Sequence, residues 1–68
     1  MKLKINETSR KSVNVELNDT WHNHGDFIEV TEWANGEGFD ITLSTGQHIS
    51  LHETEWVAIK KLVKHLFK

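Results

Sequence analysis

The stretch that most limits what this chain can become is residues 29–43. Two alternating segments, Glu29-Val-Thr-Glu-Trp33 and Phe39-Asp-Ile-Thr-Leu43, flank the turn-forming run Ala34-Asn-Gly-Glu-Gly38. Successive side chains of a strand point to opposite faces, so alternation of apolar and polar residues marks a half-buried strand. Asn35-Gly36 is the strongest short hairpin signal, because both residues tolerate the positive φ of a type I′ turn. A two-residue loop there opposes Val30 with Ile41, Ile28 with Leu43 and Glu32 with Phe39. The apolar residues of both strands then share one face, and a one-residue slip would scatter them. The other face carries Phe27, Glu29, Thr31 and Trp33 from the first strand, with Asp40 and Thr42 from the second.

The flanking segments extend this sheet. Residues 2–6 place Leu3 and Ile5 on one side and Lys2, Lys4 and Asn6 on the other. Residues 12–17 repeat the pattern with Val13, Val15 and Leu17, and the polar link 7–11 suits a hairpin between the two. Residues 18–26 lack periodicity and read as the longest loop, with Trp21 expected to fold back over an open core edge rather than stand out as a recognition residue. After the turn around Thr45-Gly46, a three-residue loop at 45–47 opposes Leu43 with Ile49 and Ile41 with Leu51, with Gly46 in the left-handed position. His48 and Ser50 join the polar face.

His52-Glu-Thr-Glu55 opens a helix, with early carboxylates at its positive end and lysines toward its negative end. His52 stands where Ser, Thr, Asp or Asn is preferred, although Glu55 sits three residues later as a capping box requires. Trp56, Ile59, Leu62, Val63, Leu66 and Phe67 fall in one arc, and Lys60, Lys61, Lys64, His65 and Lys68 occupy the rest. A helix of about 14 residues is marginal alone, so its apolar arc is expected to lie on the apolar sheet face. The predicted fold is α+β: one domain over 1–68, with an antiparallel sheet of about five strands followed by one C-terminal amphipathic helix packed on one sheet face. The expected core is Leu3, Ile5, Val13, Val15, Ile28, Val30, Phe39, Ile41, Leu43, Ile49, Leu51, Trp56, Ile59, Leu62, Val63 and Leu66.

A chain of 68 residues buries only about 60% of its unfolded surface, and with no cysteine it has neither disulfide nor thiolate zinc site to reinforce it. The first residues have no signal-peptide core and no run approaches a membrane span, so a cytoplasmic protein without membrane contact is expected. Charge is segregated. All eight Lys and Arg residues lie before Ser12 or after Ile59, and the stretch between holds nine of the ten carboxylates. Such a field steers encounters with charged partners.

Few residues suggest chemistry. His22, His24 and Asp26 share one side of an extended segment and have a donor set that suits zinc, nickel or copper. Loop histidines are more often solvated, and neither metal nor cofactor is expected. His22-Asn-His24-Gly-Asp26 resembles the His-x-His-x-Asp of metallo-β-lactamase-like hydrolases, but Phe27 follows where that motif continues with histidine. No serine sits in a nucleophile elbow, and Glu29 with Asp40 on an open sheet face lacks the concavity that tunes a catalytic carboxylate.

Ile49-Ser-Leu51 running into Glu53-Thr-Glu-Trp56 resembles the strands-then-helix ending of the coactivator and Whirly families of single-stranded-DNA-binding proteins. That resemblance implies DNA on the sheet and dimerisation through the helix. This chain departs from it by placing Glu29, Glu32, Glu37 and Asp40 where phosphates would lie. Val30-Thr-Glu-Trp33 and Asn35-Gly-Glu-Gly-Phe-Asp40 are similar in style to small accessory proteins of phages and prophages of Gram-positive bacteria. The functional expectation is a non-enzymatic interaction protein whose acidic sheet face, Phe27, Glu29, Thr31, Trp33, Asp40 and Thr42, docks a basic protein surface with Trp33 as anchor. Self-association as a homodimer is a variant of it. The alternative is single-stranded nucleic-acid binding as a dimer through the N-terminal hairpin and the basic helix side, Lys60, Lys61, Lys64 and Lys68.

Overall fold

The structure, a computed structural model, describes residues 3–67; Lys2 of the first predicted strand and Lys68 of the basic helix side lie outside them. Strands β1 (Ile5–Ser9), β2 (Ser12–Glu16), β3 (Phe27–Glu32), β4 (Gly38–Leu43) and β5 (His48–His52) form one antiparallel sheet in chain order. The helix α1 (Glu53–Leu66) follows β5 directly. The architecture is therefore α+β. No helix among the described residues is long and apolar enough to cross a membrane.

The β3–β4 register is the one hydrophobic matching requires, with Val30 opposite Ile41, Ile28 opposite Leu43 and Glu32 opposite Phe39. The turn differs. Gly36 has φ 75° while Asn35 keeps negative φ, so no type I′ turn forms. Gly36 N–H instead donates to the Trp33 carbonyl (2.9 Å) and Trp33 N–H to the Gly38 carbonyl (2.8 Å), leaving a loop at 34–37. Asn35 Oδ1 accepts from Glu37 N–H (3.0 Å). Lengthening the loop by one residue on each side leaves the strand pairing unchanged.

Between β4 and β5 the expected register is off by two residues. Ile41 opposes Ile49 and Phe39 opposes Leu51, rather than Leu43 with Ile49 and Ile41 with Leu51. The loop has the expected three residues but lies at 44–46. It is closed by Leu43 N–H to the Gln47 carbonyl and Gly46 N–H to the Leu43 carbonyl, both 2.9 Å. Gly46, at φ 106°, takes the left-handed position. A two-residue shift keeps every side chain on its face, so alternation does not reveal it. β1 also begins later than predicted and runs to Ser9, through an irregularity between Glu7 and Ser9, which leaves Leu3 ahead of the strand.

The expected core does not close. Ile5, Val15, Ile28 and Leu43 form one row across the apolar face, Val13, Val30, Ile41 and Ile49 a second, and Phe39 and Leu51 a third. Of the sixteen expected core residues only Leu51 is buried, at 6% exposure. The α1 backbone lies near β4 and β5. Trp56 meets Phe39 edge to face (6.5 Å between centroids), and the two rings with Val30 and Ile41 line a concavity of about 120 Å³. Ile59, Leu62, Val63 and Leu66 remain exposed.

The junction joins α1 to the sheet without a break. Glu53 N–H donates to the Glu37 carbonyl (2.9 Å), Glu55 Oε1 accepts from His52 N–H (2.9 Å) and His52 Nδ1 accepts from Thr54 N–H (3.2 Å). With no connecting residue and a complete capping box, α1 packs on the sheet over β4 and β5.

Candidate functional site

The opposite sheet face carries the side-chain hydrogen bonds. The strand pairing places Asn6, Asn14, Glu29, Thr42 and His48 in one row and Ser12, Thr31, Asp40 and Ser50 in the next. Side-chain hydrogen bonds run along these rows. The hydroxyls of Ser12 and Thr31 are 2.7 Å apart, and Thr8 Oγ1 donates to Glu29 Oε2 (3.1 Å).

Asp40 is the hub. Its Oδ1 accepts from Ser50 Oγ (2.6 Å) and from Trp33 Nε1 (3.1 Å), with His48 Nε2 at 3.9 Å from the same oxygen. The Ser50 hydrogen bond first and then that of Trp33 hold its carboxyl below the usual aspartate range, with desolvation opposing them and the nearby His48 assisting. Asp40 thus carries its charge at neutral pH.

Trp33 is fixed by more than its indole N–H. Its ring lies over Gly38, where an added Cβ would stand 2.5 Å from the ring and 2.6 Å from the Leu51 carbonyl oxygen. Only glycine lets the ring and the two strands approach so closely. The Trp33 ring also meets the His52 ring edge to face at 6.4 Å. Phe27 anchors the opposite end of β3, its backbone N–H donating to Ser44 Oγ (2.9 Å).

All six residues predicted for the docking face, Phe27, Glu29, Thr31, Trp33, Asp40 and Thr42, occur on this one face and all are half-buried. No strand carries a Lys or Arg. Lys11 reaches over the hairpin end, with Nζ 3.7 Å from Glu32 Oε1 and within hydrogen-bond distance of the Trp33 and Ala34 carbonyls. His48 and Ser50 belong to the Asp40 cluster but were not expected there. The expected β4–β5 register sets Asp40 opposite His52, whereas the true one sets it opposite Ser50.

The other predicted residues lie elsewhere. Lys60, Lys61 and Lys64 are exposed on α1, and Lys68 is outside the described residues. His22 Nδ1 donates to Asp19 Oδ1 (2.7 Å). That contact foremost holds the Asp19 carboxyl below its ordinary range. Asp26 accepts from Asn23 N–H (3.0 Å) and Ser44 Oγ (3.2 Å). The loop is thus organised by aspartates, and among the described residues no three His, Asp or Glu side chains gather as a metal site. Trp21 does not fold back: Asp19 Oδ1 accepts its backbone N–H (3.0 Å), and the residue is 89% exposed. No protein family, no curated protein and no solved structure matches the chain.

Proposed function

We propose that this is a small non-enzymatic interaction protein of the cytoplasm that docks a basic protein surface on its polar sheet face. The observation that carries the reading is the Trp33–Asp40–Ser50 cluster, a charged carboxylate and an aromatic ring held rigid on a face whose strands lack any cation. A fixed aromatic beside a pre-ordered acceptor binds at low entropic cost. Asp40 and Glu29, on the diagonal across the β3–β4 pair, present two negative charges that steer a basic partner. Chemistry is less well supported. Ser50 donates to the Asp40 carboxylate, whose lowered pKa makes it a weak base, and His48 approaches that carboxylate oxygen, 3.9 Å away.

The test is affinity capture from the source organism with the native chain and a Glu29→Lys variant. Capture of a basic protein that is released by moderate salt and lost with Glu29→Lys supports the reading. Equal capture by both contradicts it. So does salt-sensitive binding of a labelled oligonucleotide that disappears when Lys60, Lys61 and Lys64 are neutralised, which is the signature of the nucleic-acid alternative.

A further inference from the structure

The apolar sheet face and the apolar stripe of α1 are both left open on the single chain. The α1 backbone lies near β4 and β5 and its Trp56 side chain reaches Val30 on β3, while toward β1 the face is open, with Ile5 67% exposed. On the helix, Leu62 is 65% and Leu66 79% exposed. The chain's own helix starts directly after β5, where His52, Glu53 and Glu55 make the junction hydrogen bonds, and packs over β4 and β5.

The amount of open surface is informative. A compact monomer of 7.9 kDa exposes about 4,400 Å². This chain exposes 5843 Å², an excess of about 1,400 Å² beside the roughly 800 Å² per partner of a standard interface. Its radius of gyration, 13.1 Å, likewise exceeds the about 11 Å of a compact chain of this length.

We propose that a second copy of this chain covers both surfaces: the C-terminal half of each α1 lies on the apolar β1–β3 face of the other copy. One chain carries both halves of the contact, so a two-fold arrangement satisfies each copy at once. Charge agrees. Glu7, opposite Val13, lies on that face, while Lys60, Lys61 and Lys64 flank the helix stripe and form no salt bridge among the described residues. The inference concerns the sheet face opposite to the proposed docking face and stands or falls apart from it.

Sedimentation of the full chain over a wide concentration range tests it, with single variants Leu66→Glu and Ile5→Glu. Both side chains are largely exposed on the single chain, so circular dichroism confirms that each variant keeps its fold, with Leu62→Glu as a second helix variant. Expected is a species of twice 7.9 kDa, with each variant raising the dissociation midpoint at least about tenfold. A single-chain mass at every concentration overturns the proposal. A dimer that Ile5→Glu leaves intact overturns it too, since that would be pairing between helices alone, as would a dimer indifferent to the helix variants.

Discussion

Gly38 and Asp40 show how single atoms set the character of the polar face. The missing Cβ of Gly38 is what lets the Trp33 ring lie on the sheet, within 2.6 Å of where that atom would stand. Gly38→Ala forces the ring away and breaks its bond to Asp40, at a cost of about 1–3 kcal/mol. Chemical denaturation measures the loss, and the change in tryptophan emission identifies the ring. Asp40 gives a pH dependence of known sign. Its folded-state pKa is lowered, by Ser50 first and Trp33 next, so its contribution is fully present above the unfolded value of about 3.9. It is lost as the pH falls through the lower folded value. Asp40→Asn is expected to flatten the acid limb of the stability curve, leaving the part due to Asp19, whose carboxyl is also held low. Denaturation midpoints measured on both chains between neutral and acidic pH check this.

At the scale of elements, the β3–β4 hairpin was legible because three apolar pairs fit only one register. The β4–β5 hairpin was legible only in part, since a shift by two residues preserves the alternation and only the turn decides between them. That ambiguity hid the Asp40–Ser50 pair. The turn at Asn35 shows the converse, a register read correctly through a turn of another kind. Helix existence followed from its periodicity, while its burial did not, because burial depends on how α1 leaves β5. The capping box made by His52 and Glu55 closes the first turn of α1. Glu55→Ala is expected to cost about 0.5–2 kcal/mol of the kind lost when a cap is removed, seen as reduced helical ellipticity and a lower thermal midpoint.

For the whole molecule, the two sheet faces differ in both chemistry and order. One is a hydrogen-bonded polar surface centred on Asp40, and the other is an apolar surface that this chain leaves largely open. A fold of 68 residues in which, among the described residues, Leu51 is the one buried apolar side chain has little stability of its own, so the proposed pairing of two copies bears on its stability and the proposed docking on its polar face. The three tryptophans report on separate surfaces: Trp33 on the polar face, Trp56 over the apolar side and Trp21 in the exposed loop. Their indole N–H resonances during titration with a Lys- and Arg-rich peptide test the central claim most directly. The account predicts a salt-sensitive shift of the Trp33 signal with those of Trp21 and Trp56 unmoved; a Trp33 signal that stays still while another moves would contradict it.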